Sequence, residues 1–353
     1  MAFVLGYRVT DKRDLGKNMA ATIYDIAKKL GISHATVSRG LRNNPEIALS
    51  TRDKIQKAAI KLNYTPNILA RGLAGNGTHT VGVLWTLSTP HQSGEMARRI
   101  AMRAQQHGWV TYIADNMKDK NVIERVTTDF INRGVEAVVV ELSNQIPLTS
   151  DLEKCLNRFK TAVIVTSSHR ETQLDQVVHD RFDAIRAVVG HFAKSGRKRP
   201  GIMVPVKTSQ PKIDVYLDEF RKYGIDPGTQ AIIDIGFEEE LSGERLLQVL
   251  RSKYEENKTR FDCLFCSGDE LATMAISYLA SKGLQIPRDI AVVGFNDNET
   301  SKFMIPPMAS VARKDQEVAN IIEHLLFSRL EKRDIPPRQE TIAMEFIWRE
   351  SAG

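Results

Sequence analysis

The densest chemistry in the chain lies in one short run, Ser33-His34-Ala35-Thr36-Val37-Ser38-Arg39. Hydroxyls and a helix N-terminus hold phosphate oxygens, and a guanidinium fork pairs with the O6 and N7 edge of guanine. Side chains this short let a helix sink into a major groove. No G-x-S-x-G or H-E-x-x-H organises these residues, so the run suits recognition of a nucleic acid rather than turnover. An ordinary small helical hairpin with a polar outer face is the other reading of the same residues.

Such a run must be carried on a helix, and its neighbours supply one. Thr22 is an N-cap residue before a first helix in which Ile23, Ile26, Ala27 and Leu30 recur at helical spacing. Gly31 ends that helix, and Ser33 caps a second that runs to about Leu41. Ala27 lets the two helices approach, and Ile32 and Val37 pack between them. The Arg42-Asn43-Asn44-Pro45 run breaks the chain. A third helix follows through TRDKIQKAAIKLNY, with Ile55, Ala58, Ala59 and Leu62 inward. Ala48 is a poor cap, so Ser50 is expected to cap a helix that starts later. A Gly-rich linker closes this region.

Charge is distributed unevenly around these elements. The whole chain carries a formal +6, but residues 1–78 hold 13 Lys/Arg against 5 Asp/Glu, a net of +8. Residues 79–353 hold 36 against 38, a net of −2. A basic head on a near-neutral body suggests a polyanion as the partner of the head; a solvated basic face is the plainer alternative. No apolar run reaches the roughly 20 residues of a membrane span, and the N-terminus has no secretory h-region. With only three Cys, a disulfide framework is not expected and a reducing cytoplasm is.

From Thr80 the pattern becomes α/β. TVGVLW, VTYIADN, AVVVEL and TAVIVTSS alternate with amphipathic segments, and after VVHD the series restarts with PGIMVP, AIIDIG, CLFCSG and IAVVGFN. This predicts parallel sheets with crossover helices in two similar subdomains, with a ligand cleft between them at the carboxyl ends of the strands. Cys263 and Cys266 form a lone C-x-x-C in a predicted strand, where positions i and i+3 face opposite sides. Buried structural thiols are expected there, with a metal or redox pair as the alternative. No dinucleotide fingerprint, Walker A motif, G-x-S-x-G or H-E-x-x-H is found, so no cofactor, no metal and no enzymatic activity are expected.

The run TIYDIAKKLGISHATVSRGLRNNPEIALSTRDKIQKAAIKLNYTPNILARGL closely resembles the DNA-binding headpiece of the LacI/GalR family of bacterial repressors. It matches at Thr22, Asp25, Ala27, Gly31, Ser33, Thr36, Val37, Ser38, Arg39, Leu41, Thr51, Arg52, Leu62, Tyr64, Pro66, Asn67, Ala70, Arg71 and Leu73. The likeness continues through GLQIPRDIAVVGFNDNE to the closing FIWRESA. The resemblance implies an all-α helix-turn-helix headpiece with a hinge helix, followed by a two-subdomain α/β body like a periplasmic binding protein. Four regions follow: an extension at 1–18, a headpiece at 19–66, a hinge and linker at 67–79, and an effector-binding and dimerisation body at 80–353. Within the body, subdomain 1 would take 80–178 with 309–334, and subdomain 2 would take 179–308 with 335–353.

The same resemblance assigns roles. His34 and Ala35 would set operator choice and Arg39 would contact a base. Thr22, Tyr24, Ser33, Thr36, Ser38, Tyr64 and Asn67 would hold phosphates or brace the reading helix, although Tyr64 also suits the edge of a core. Ala70, Arg71 and Leu73 would lie on a hinge helix in the minor groove, with Leu73 as the wedge. Gly72 is a departure that weakens this helix off DNA.

In the cleft, Thr86, Ser88, His91, Tyr216, Asp269 and Asn296 are the effector-binding candidates, with a helix N-cap as the other reading of Asp269. Tyr216 stands where relatives have a ligand-gripping Arg, Gly268 where they have Asn, and Asn296 where they have Asp. This predicts a neutral or weakly charged polar ligand, a saccharide for example. Phosphorylated sugars would bind only if Arg181 or another cation faced inward. The expected protein is a dimeric regulator of a palindromic operator, whose affinity a small molecule modulates. The absence of a leucine-heptad tail points to a dimer. A solute-binding protein without DNA binding is the main alternative, and an enzyme on the same sheets the second.

Overall fold

Three short helices build the head: α1 (Ile23–Leu30), α2 (His34–Leu41) and α3 (Leu49–Lys61). The computed structural model describes residues 21–65, 77–87, 93–144, 146–236, 243–252, 261–332 and 335–353. Ile26, Val37 and Ile55, one from each helix, are fully buried, with Ala27, Ala58 and Ala59 around them. Gly31 closes α1 in the left-handed conformation (φ 66°), where a side chain would be strained, and its N–H bonds the Ala27 carbonyl. Gly40 lets α2 meet α3, since a Cβ there would lie 2.3 Å from Ile55 Cδ1.

The start of α3 corrects one expectation. The helix begins at Leu49, so Ser50 sits inside its first turn, and Ala48 occupies the N-cap with no side-chain hydrogen bond. The backbone takes the earlier start although the residue at the boundary cannot cap it. Thr51 N–H and Arg52 N–H bond the Ala48 carbonyl instead, at 2.9 and 3.0 Å.

Between Thr78 and His79 the chain divides into two compact units. The second unit contains two sheets. The first sheet has the order β11-β5-β4-β3-β1-β2, from β1 (Thr80–Trp85), β2 (Val110–Asp115), β3 (Ala137–Leu142), β4 (Thr161–Thr166), β5 (Asp175–Asp180) and β11 (Gln339–Ala343). The second has the order β12-β10-β9-β8-β6-β7, from β6 (Pro200–Val204), β7 (Ile232–Asp234), β8 (Cys263–Cys266), β9 (Ala291–Asn296), β10 (Ala309–Ala312) and β12 (Glu345–Ile347). All pairings are parallel except β10 with β12. Helices cover both faces, which is why β1 and β4 are buried along their whole length.

Around the first sheet lie α4 (Ser93–Gln106), α5 (Lys120–Asn132), α6 (Ser150–Leu156) and, returning late in sequence, α11 (Asp315–Glu331). The second carries α7 (Phe182–Lys194), α8 (Val206–Lys222), α9 (Gly243–Arg251) and α10 (Asp269–Ser281). The two faces of the second sheet form separate cores. Cys263 packs in one and Cys266 in the other, so alternation along β8 keeps these two free thiols apart. Burial pushes both thiol pKa values up.

The expected two-subdomain, parallel-sheet architecture is present, but its chain tracing differs from the sequence reading. Residues 309–312 form β10 in the second sheet, not the first, and 339–343 form β11 in the first sheet, not the second. Asp180 is the last residue of β5, so the first sheet also extends past 178. The chain therefore passes between the lobes three times: at 180–182, 312–315 and 343–345. These crossings lie side by side, because Ala343 pairs with Asp180 and Glu345 pairs with Ala312. Met344 N–H bonds the Asp180 carbonyl at 2.7 Å, which ties two of them directly. Among the described residues no helix is long and apolar enough to cross a membrane.

Candidate nucleic-acid interface and ligand cavity

The head presents α2 as an exposed, capped helix. Ser33 accepts the Thr36 N–H at 3.1 Å, and the two hydroxyls lie 2.8 Å apart. At α1, Thr22 and Asp25 form a reciprocal capping box: the Thr22 N–H reaches Asp25 Oδ2 at 2.8 Å. These hydrogen bonds from Thr22, the backbone one first, lower the pKa of the Asp25 carboxyl. His34, Ala35 and Arg39 are exposed, while Thr36 and Ser38 are partly covered. Tyr24 is exposed and its ring lies 5.2 Å from that of His34, which joins the first helix to the start of the second. Arg39 lies 3.5 Å from Glu46, a marginal contact between two exposed side chains. Tyr64 packs half-buried against the three-helix core. Asn67, Ala70, Arg71 and Leu73, like the extension at 1–18, lie outside the described residues.

Between the two lobes of the body is a cavity of about 190 Å³. One residue from each crossing lines it: Arg181, Arg313 and Met344. Lys118 follows β2, Glu141 comes from β3, His179 from β5, and Lys212 from α8. Ser143, Asn144, Ser167, Thr208 and Ser209 add hydroxyls and an amide. Among the described residues the charge is one-sided, with four Lys or Arg side chains against the single carboxylate of Glu141.

Neutralisation within this cluster is sparse. Glu141 accepts the Thr86 N–H at 2.9 Å. Arg313 pairs with Asp315 at 3.2 Å. Arg181 donates to the Ser167 carbonyl at 3.1 Å, and its buried Nε has no partner among the described residues. Burial draws the Arg181 pKa down to about 10, against the attraction of Asp180. Lys212 lies 4.5 Å over the Phe295 ring and has no carboxylate partner among the described residues. Burial, then the repulsion of Arg181 and Lys118, brings its pKa down to about 7. His179 is buried, its Nδ1 is unpaired among the described residues, and its pKa falls to about 3 through burial, Arg313 and Arg181. It is a neutral wall of the cavity near pH 7.

Two family models match the chain: bacterial regulatory proteins of the lacI family over residues 22–67, and the periplasmic binding protein-like domain over residues 189–352. The HTH-type transcriptional repressor CytR of Escherichia coli (strain K12) is 26% identical over 341 residues, covering 94% of this chain and 96% of that protein. The chain thus joins a head that matches the lacI family of bacterial regulatory proteins to a body that matches a periplasmic binding protein-like domain. The HTH-type transcriptional repressor PurR of Haemophilus influenzae (strain PittEE) is likewise 26% identical, covering 94% of this chain and 98% of PurR. Among solved structures, the lac repressor dimer bound to operator and the anti-inducer ONPF superposes with a TM-score of 0.80 at 19% identity, over 95% of this chain and 99% of that one. A complex of the transcriptional regulator CelR with cellobiose gives a TM-score of 0.65 at 18% identity, over 94% and 99%.

Within this periplasmic binding protein-like body, the cleft residues expected from sequence are largely dispersed. Asn296 lines the cavity, with φ 110°, at the end of β9. Tyr216 does not: it is fully buried, donates its hydroxyl to the Gly201 carbonyl at 2.9 Å, and packs on Phe220 and Phe265. Its assignment as a ligand contact is corrected to a core residue. The cation sought at its position is Lys212, one helical turn earlier on α8. Thr86 is buried with its hydroxyl on Asn116 Oδ1 at 2.9 Å, so it braces β1 and does not line the cavity. Asp269 accepts the Ser310 hydroxyl at 2.6 Å and the Asn298 N–H at 2.5 Å, in the first turn of α10. Its carboxylate is spent on the protein, burial raises its pKa, and it borders a wider groove of about 950 Å³ instead. Ser88 and His91 lie outside the described residues.

Lys118, Glu141, His179 and Arg313 were not selected from sequence. A signal existed in DRF and ARKD, each placing an Arg just past a strand end, but only the order of the crossings shows that both face one cavity.

Proposed function

We propose that this chain is a sequence-specific DNA-binding transcriptional regulator, a repressor whose operator affinity responds to a small polar, sugar-like ligand in the inter-lobe cavity. The observation that carries the reading is α2. It is capped by Ser33, fixed by the Gly31 turn, and presents His34, Ala35 and Arg39 outward within residues 1–78, whose net charge is +8. His34 and Ala35 select the operator and Arg39 reads a base edge. Thr22, Tyr24, Ser33, Thr36, Ser38, Tyr64 and Asn67 hold the backbone or brace the helix. Ala70, Arg71 and Leu73 take the minor groove, with Leu73 opening the central step. Binding to palindromic DNA requires two heads, and CytR, PurR and the operator-bound lac repressor dimer are relatives of the same architecture.

The dimer surface we assign is the free edge of the first sheet. β2 is an edge strand on which Val110, Tyr112 and Ile113 are exposed, with Met102 and Met117 nearby in sequence. Exposed apolar edge strands favour association. Ligand and operator are coupled through the angle between the lobes, which the three crossings set. No turnover is assigned to the cavity, and access to chromosomal DNA places the protein in the cytoplasm.

Selection of bound genomic fragments by the purified chain, followed by titration of a recovered site across salt concentrations, tests the reading. Tight binding to a palindrome with a steep negative salt slope is expected. Equal affinity for random DNA, or none for either, overturns it.

A further inference from the structure

The cavity holds more positive charge than its own residues neutralise. Arg181, Lys212 and Arg313 line it, and among the described residues Glu141 is its one carboxylate. Asp315 neutralises Arg313 from outside the lining. Asp180 attracts Arg181 but forms no ion pair with it among the described residues, its Oδ1 accepting the Phe182 N–H at 2.9 Å. Among the described residues Lys212 has only a ring face for company. Buried ions are costly when unpaired, so a folded cavity of this composition is built around a counter-ion that is not part of the chain.

We propose that the ligand of this cavity is a small phosphomonoester, its phosphoryl group held by Lys212, Arg181 and Arg313. The proposal rests on the reading of the cavity as the effector site and names the chemistry of the effector. A phosphomonoester carries between −1.5 and −2 near neutrality, by general values of about that size, and offers three terminal oxygens. Lys212 approaches from α8, Arg181 from the first crossing and Arg313 from the second, so three cations on three segments meet a tetrahedral group. A planar carboxylate has two oxygens and one charge, which leaves a cation unmatched. Ser143, Asn144, Ser167, Thr208 and Ser209 are left to meet the hydroxyls of a polyol. The volume of about 190 Å³ lies below the ~300–1,000 Å³ of drug-sized pockets, in keeping with a small occupant.

The proposal departs from the expectation of a neutral ligand by the route the sequence left open, because Arg181 and other cations line the cavity. It also gives the coupling a physical form. Two of the three cations sit on crossing segments, so the bound anion pulls together groups that repel one another in its absence.

Thermal melting and titration calorimetry on the full chain decide the matter, with inorganic phosphate, glucose 6-phosphate, ribose 5-phosphate, glucose, ribose and gluconate as probes. The phosphates should raise the melting temperature and their unphosphorylated parents should not. Lys212→Met should weaken phosphate binding by at least about tenfold while raising the melting temperature of the ligand-free chain, and Arg181→Gln should weaken binding comparably. The second effect of Lys212→Met separates a lost contact from a damaged fold.

The proposal fails if the parent sugars bind as well as the phosphates, if gluconate alone binds, or if both variants bind phosphates as the parent chain does. Silence from every phosphate at about 10 mM also overturns it. Binding of glucose or ribose would keep the effector-site reading and remove only the phosphate. Silence from all probes alongside intact operator binding would remove the ligand and leave the DNA reading standing.

Discussion

Single side chains decide both ends of this molecule. Arg39→Ala should cost about 1–3 kcal/mol of operator affinity and relax preference at one position per half-site. Competition binding against sites varied at each position checks this, and equal weakening on random DNA would make Arg39 a phosphate contact. Lys212 gives a second test, through pH. Its pKa falls from 10.5 to about 7 on folding. Below pH 7 both states are protonated and the cost of the buried charge is fully present. Between pH 7 and 10.5 the unfolded chain binds a proton that the folded chain does not, so stability of the ligand-free chain rises across that window. Arg181, Lys118, Arg313, Glu141 and His179 share the cavity, so the measurement is the difference in melting temperature between the parent chain and Lys212→Met from pH 7 to 9. The difference should shrink as pH rises. The reading helix was legible in sequence because caps and contacts are neighbours there, as Ser33 and Thr36 are. Lys212 was not: on a helix, a shift of one turn preserves the face but replaces a buried ring with a cation, and only packing shows that Tyr216 points into the core.

The elements follow local rules, and where they break one the break can be measured. Ala48→Ser should stabilise the head by about 0.5–2 kcal/mol, because Ala48 already has N-cap geometry (φ −54°, ψ 139°) and lacks only the acceptor. Chemical denaturation of the isolated melting phase of the head, compared between the two chains, would show it; no gain would mean that the Ala48 carbonyl contacts already satisfy this end. Strand β2 makes a different prediction. Ile113→Asp places a charge on an exposed apolar edge, and should shift the chain toward monomer in sedimentation without changing the melting of the lobe. An unchanged oligomeric state would move the dimer surface elsewhere. The inner strands between 80 and 296 were legible because parallel strands covered on both faces read as largely apolar runs, AVVVEL and TAVIVT among them. β10, β11 and β12 were not separable in sequence, since short strands at 309–312, 339–343 and 345–347 differ little from one another and their sheet is set by partners far away in the chain.

At the scale of the whole molecule, the two sheets are joined not by a linker but by three adjacent passes of the chain. The lobes were visible in sequence as two series of strands, while their stitching was not, because nothing local marks which sheet a returning strand enters. The crossings carry Arg181, Arg313 and Met344 at the cavity wall, so the cavity lining and the covalent connection of the lobes share the same few residues. The arrangement has a consequence for breakage. A protease that cuts one crossing leaves two covalent links between the lobes, and each lobe keeps a complete sheet. A chain nicked between Arg313 and Asp315 should therefore elute from a sizing column as an intact particle, yet run as two fragments once denatured. Two cuts in different crossings would still leave one tether, and only a third would release the lobes as separate bodies. Like a three-stranded rope, the body is redundant at the very place where its lobes join.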